Sequence, residues 1–129
     1  MSYAWVEHTA ELELHVEAES EEAVFLDTLA AFAELAGAAE GEAQEHELEL
    51  DAPDRGALLA AWLEELVFLA ETERFVPEAA DVALSARRLR SLVRGRTGNP
   101  PPLVKAVTYH GLVFERRGGL WHARLVLDV

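Results

Sequence analysis

Two stretches at opposite ends of the chain carry residues that could do chemistry together. Glu7-His8-Thr9-Ala10-Glu11 holds two carboxylates and a histidine within five residues, and the last two positions are Asp128 and Val129. Hard cations such as Ca²⁺ and Mg²⁺ take oxygen ligands from carboxylates, carbonyls and water. If the strand that opens at Glu11 lies beside the last strand, Glu7, Glu11, Asp128 and the carboxylate or carbonyl of Val129 gather at one point. Asp128 is conspicuous because it stands between Leu127 and Val129, at the end of an otherwise strand-like run, L-W-H-A-R-L-V-L-D-V. A strand end open to water also tolerates an aspartate at little cost, so spacing alone leaves both readings open.

A second stretch, Lys105-Ala106-Val107-Thr108-Tyr109-His110, sets Lys105, Val107 and Tyr109 on one face of an extended chain and Ala106, Thr108 and His110 on the other. Lysine and tyrosine side by side, with a histidine near, suit an anion or a partner protein; an edge strand showing Lys105 to solvent fits equally well. Other chemistries are missing. There is no cysteine, which excludes disulfides, thiolate metal sites and cysteine nucleophiles. The five histidines show no i,i+4 pair of the zinc type, and His15, His46 and His122 read as structural or solvent-facing. Gly95-Arg96-Thr97-Gly98 lacks the following helix that a phosphate loop needs, and no serine sits in a nucleophile elbow.

The elements that must position these residues follow from periodicity. Residues 11–18 read E-L-E-L-H-V-E-A, a half-buried strand with Leu12, Leu14, Val16 and Ala18 on one face. Ser20 is placed to cap a helix with Glu21 and Glu22 in its first turn, a stripe of Phe25, Leu29, Phe32 and Ala36, and Gly37 as its stop. After a loop over 38–43, residues 45–50 form another strand with His46, Leu48 and Leu50 inward. Pro53 ends that strand and Asp54 caps a more apolar helix built on Leu58, Leu59, Trp62, Leu63, Leu66 and Leu69, with Glu64 and Glu65 in water. Past Pro77 only strands are expected: 82–84 and 89–93 as a hairpin, then 103–110, 112–116 and 120–129, the last two joined at Gly118-Gly119. The Pro-rich segment 97–102 is a loop. The reading is an α+β fold, one domain over residues 1–129, with two helices packed on one curved, mostly antiparallel or mixed β-sheet system.

Composition bounds the partners. Half the residues are hydrophobic, which supports a packed core, and no apolar run reaches the roughly 18 residues that span a bilayer. No signal-peptide pattern opens the chain, so a cytoplasmic protein without a membrane partner is expected. The formal charge of −13 is unevenly spread: residues 1–54 hold 16 acidic and no basic groups, and all 11 Lys and Arg lie beyond. Five arginines (87, 88, 90, 94 and 96) fall within ten residues. Such a chain repels phosphate at a distance and is a poor direct nucleic-acid binder. Its acidic half suits a basic protein, or simply keeps the surface solvated.

Four segments, in order, resemble the archease family. V-E-H-T-A-E-L near the start is similar to its [D/E]-H-T-A-D signature followed by a strand. Residues 58–69 look like its second helix, V-K-A-V-T-Y-H at 104–110 is close to its most recognisable motif, and W-H-A-R-L-V-L-D-V is similar to its closing strand. The resemblance implies an accessory protein, not a stand-alone enzyme. It implies a partner, the RtcB-type RNA ligase of tRNA splicing and RNA repair, whose guanylylation and multiple turnover such proteins promote, so that RNA is met only through the ligase. It also implies a divalent metal, with Ca²⁺ first and Mg²⁺ or Mn²⁺ next, held by Glu11, Asp128 and Val129, with Glu7 in support. Glu11 stands where the family shows Asp, so a carboxylate one methylene longer must fold back or shift the ion. Within this reading Lys105, with Tyr109 and His110, contacts phosphate or partner. Two other functions compete: a metal-dependent hydrolase using Glu7, Glu11 and Asp128 with His8 as acid/base, and a chaperone-like protein-binding module working through the acidic half.

Overall fold

A computed structural model describes residues 2–129. The order is β1 (Ser2–His8), β2 (Glu11–Ala18), α1 (Glu21–Ala36), β3 (Ala43–Asp51), α2 (Arg55–Glu73), β4 (Phe75–Leu84), β5 (Arg88–Thr97), β6 (Ala106–Arg117) and β7 (Leu120–Asp128). Both helices start where side-chain chemistry dictates: Ser20 accepts the Ala23 N–H at 3.1 Å and Asp54 accepts that of Ala57 at 2.8 Å. Gly37, with φ of 86°, closes α1 by donating its N–H to the Ala33 carbonyl.

The strands form two antiparallel sheets, one of four strands ordered β1-β2-β7-β6 and one of three ordered β3-β5-β4. The mostly antiparallel sheet system expected from the sequence is thus divided in two, a division that alternation cannot show because it reports which face of a strand is apolar and not which strands pair. One cluster of buried side chains joins everything. Leu14, Val16, Ala123, Leu125 and Leu127 contribute the inner face of the four-stranded sheet; Phe75, Leu89 and Val93 contribute that of the other. Between them α1 and α2 bring Phe25 and Trp62, both fully buried, with ring centroids 5.5 Å apart. Phe114 and Trp121 continue the aromatic contacts onto β6 and β7.

Several strands differ from their expected limits. β4 begins at Phe75, directly after Arg74 leaves the helix in a left-handed conformation, and takes in Pro77. Proline is tolerated there because β4 is an edge strand and its register shifts between Pro77 and Ala79. Residues 106–117 form one strand instead of two, interrupted by a bulge in which the register with β7 breaks between Thr108 and Val113. The β6–β7 turn at Gly118-Gly119 is as expected, with both residues at positive φ.

Candidate metal centre

β1 and β2 are joined by Thr9 and Ala10 alone, so His8 and Glu11 face each other in register. Ala10 holds a φ of 61°, a left-handed conformation that L-residues other than Gly, Asn and Asp adopt at a cost. Its carbonyl accepts the Val129 N–H at 3.0 Å, which ties the turn to the end of β7. On the other side β2 pairs with β7, and Glu11 stands directly opposite Asp128, which in turn stands opposite Ala106 of β6. His8, Glu11, Asp128 and Ala106 thus form one row across all four strands, on the face turned away from the core.

Directly opposed residues on neighbouring strands have Cβ atoms about 5 Å apart, and like charges so placed repel. Glu11 is exposed and Asp128 half-buried. Among the described residues neither carboxylate has a side-chain hydrogen bond or an ion pair. The nearby main chain is well ordered by hydrogen bonds: the Lys105 N–H donates to the Asp128 carbonyl at 2.7 Å. Two carboxylates, main-chain oxygens of Val129 and open water fit an oxygen-seeking cation. They do not fit a closed tetrahedral zinc site, and among the described residues no three His, Asp or Glu side chains converge.

The four expected ligands are not all together. Glu7 pairs with Leu12, one step out of phase with the His8–Glu11 row, so it lies on the core-facing side of the sheet at its exposed end. Glu11, Asp128 and Val129 are brought together; Glu7 is not in their row. His8 is engaged elsewhere. Its Nε2 hydrogen-bonds Glu13, whose other partner is Arg124 of β7. Arg124 also donates to the Gly111 carbonyl at 2.9 Å, inside the β6 bulge. Gly111 has a φ of 72°, and a Cβ there would come within 2.6 Å of the Arg124 guanidinium. Glu13 is 9% exposed despite facing away from the core. The His8 hydrogen bond first, and Arg124 second, hold its carboxyl below the usual range. Nothing in the sequence pattern marks Glu13, since Arg124 is 111 residues distant.

The bulge also changes Lys105, Tyr109 and His110. Lys105 precedes β6 and is exposed; Tyr109 and His110 fall in the bulge and are both exposed, so the strict alternation expected for 105–110 holds only to Thr108. Partial burial of the phenol first, and the nearby Glu64 carboxylate of α2 second, keep Tyr109 above its usual range. The remaining histidines sit apart from the tip: His46 packs edge-on against Phe75 at 4.7 Å, His15 lies 3.7 Å from Glu13, and His122 lies 3.9 Å from Glu17.

Residues 3–129 match the model of the Archease protein family (MTH1598/TM1083). The chain belongs to the archease family. Protein archease of Methanopyrus kandleri is 31% identical to it, with all of both chains covered. That of Methanosarcina mazei is also 31% identical, over 98% of this chain and 95% of the relative. Among solved structures, the solution structure of Methanobacterium thermoautotrophicum protein 1598 matches with a TM-score of 0.75 and 25% identity, covering 98% of each chain. A Thermotoga maritima archease, described as a possible chaperone, shares the fold at a TM-score of 0.67 and 21% identity, over 96% of this chain and 94% of that one. The α+β fold with two helices and antiparallel sheets is therefore that of the archease family. Among the described residues no helix is long and apolar enough to cross a membrane.

Proposed function

We propose that this archease is an accessory protein of an RtcB-type RNA ligase in tRNA splicing or RNA repair, acting in the cytoplasm. In this reading it promotes guanylylation of the ligase and so permits multiple turnover, without catalysing a reaction of its own. One observation carries the proposal: Glu11 and Asp128 are opposed in register, both negative, and among the described residues neither carboxylate has an ion pair. Juxtaposed like charges destabilise a sheet, and their survival at a fixed tip is best explained by a cation that they hold in common. Ca²⁺ is the first candidate, with Mg²⁺ or Mn²⁺ as alternatives, and such an ion would supply a positive charge able to neutralise phosphate oxygens.

The residues present have distinct tasks. Glu11 and Asp128 supply side-chain oxygens, Val129 a main-chain oxygen, and Ala10 fixes the turn from which Glu11 projects. Glu7, on the other side of the sheet, is assigned no more than a supporting charge. Lys105, whose main chain is bonded to that of Asp128, offers an ammonium beside the tip for phosphate or partner. The test is multiple-turnover RNA ligation by the cognate ligase with GTP and Mn²⁺, at substoichiometric ligase. Added archease should raise turnover; unchanged ligation would remove the activator reading. Phosphodiester cleavage by this protein alone would replace it with the hydrolase reading.

A further inference from the structure

The tip occupies one end of the sheet, and the surface beside it has a character of its own. Five large hydrophobic side chains are exposed among the described residues, and three of them, Phe68, Leu103 and Tyr109, lie along the junction of α2 with the segment leading into and through β6. Helix α2 runs antiparallel to that segment. Glu64 lies close enough to Tyr109 to influence its phenol, Phe68 lines a hollow with Lys105 and Val107, and Glu71 lines both that hollow and the next one, where Leu103 sits. Glu64, Phe68 and Glu71 are spaced at i, i+4 and i+7, a single stripe on the helix. Phe68 is 56% exposed at its centre. The stripe and the tip meet at edge strand β6, where Ala106 lines the hollow with Phe68 and stands opposite Asp128.

We infer that this stripe is a docking surface for a protein segment that presents an apolar side chain flanked by arginine or lysine. The inference rests on the ligase reading above and assigns that segment to the ligase. Charge decides the occupant. A second copy meeting this face across a two-fold axis would set Glu64, Glu65 and Glu71 against the same acids, which outnumber Lys105 and Arg74, the basic side chains lining the two hollows. RNA and an anionic membrane surface are repelled by the same carboxylates. A basic, apolar-tipped segment instead buries Phe68 and Leu103 while pairing with the acids around them. Docking along α2 would then deliver the Glu11–Asp128 tip to the same partner.

The experiment titrates archease into the cognate ligase under multiple-turnover conditions and reads the half-maximal concentration and the plateau separately. Phe68→Ser and the double variant Glu64→Lys/Glu71→Lys change exposed side chains and leave the core intact. Each should raise the half-maximal concentration about ten-fold or more while reaching the wild-type plateau. The shift in the charge variant should shrink at high salt. Asp128→Ala should lower the plateau at every concentration. Activation by wild type with an unmoved half-maximal concentration in both surface variants overturns the docking surface alone. Absence of activation by wild type overturns the ligase reading and the docking surface with it. Sedimentation that shows a wild-type dimer lost in Phe68→Ser would give the face to a second copy and likewise overturn the inference.

Discussion

The outward faces of the two sheets handle charge in opposite ways. On the three-stranded sheet the arginines that crowd the sequence alternate with buried Leu89, Ser91 and Val93, so Arg88, Arg94 and Arg96 share one face of β5. Acids of the flanking strands meet them: Arg88 with Asp51 at 3.0 Å, Arg94 with Asp81 at 2.9 Å, Arg96 with Glu78 at 3.7 Å. Part of the charge asymmetry between the two halves of the chain is also offset in space, because acidic β3 pairs along its whole length with basic β5. On the four-stranded sheet the middle is matched through Glu13 and Arg124, and the far end carries Arg117 beside Glu115. At its other end Glu11 and Asp128 oppose each other, and among the described residues neither has an ion pair. Paired charges on one sheet are part of the fabric, and an unpaired like-charge couple on the other is a cost that a ligand can lift.

The sharpest way to break this contrast is to remove one charged side chain from each face. Asp128→Ala should lower ligase activation ~100-fold or more, since even outer-shell changes at metal sites cost 10–100-fold, while circular dichroism stays that of the wild type. Arg94→Gln, on the paired face, should leave activation unchanged. Next in size is Gly111→Ala, which forces an L-residue into a left-handed conformation and pushes on Arg124; denaturant unfolding should show a loss of about 1–2 kcal/mol. Smaller, and opposite in sign, is Glu11→Gln without added metal. Relief of the repulsion should stabilise the fold by about 0.2–1 kcal/mol in the same measurement, and saturating Ca²⁺ should reverse the ranking. The smallest effect concerns pH. The Glu13 carboxyl is held below its ordinary value of 4.5, so its contribution is complete above that value and fades as pH falls through the lower folded value. Glu13→Gln should flatten the acid limb of the stability curve without altering stability's pH dependence near neutrality.

How much of this is visible in the sequence depends on distance along the chain. Local signals are faithful: Ser20 and Asp54 cap the helices, Gly118-Gly119 makes the hairpin, and period-two alternation assigns Leu14, Val16 and Ala18 to the core. The meeting of Glu11 with Asp128 is legible as well, because strand 11–18 opens on an acid and the closing strand finishes on one. Glu7 is misread by the same logic: a two-residue turn puts His8, not Glu7, in phase with Glu11. The division into two sheets, the bulge at 109–112 and the Glu13–Arg124 link all depend on pairings between distant strands, to which alternation is blind. Phe68 is hidden for a different reason. It falls outside the stripe of Leu58, Leu59, Trp62, Leu63, Leu66 and Leu69, but only the packed structure shows that no other element covers it.

Calorimetric titration of Ca²⁺ into wild-type protein, Asp128→Ala and Arg94→Gln bears most directly on the claim that the unpaired couple is a metal site. Saturable binding to wild type and to Arg94→Gln, with none to Asp128→Ala, is the predicted result. Equal binding by wild type and Asp128→Ala would contradict it.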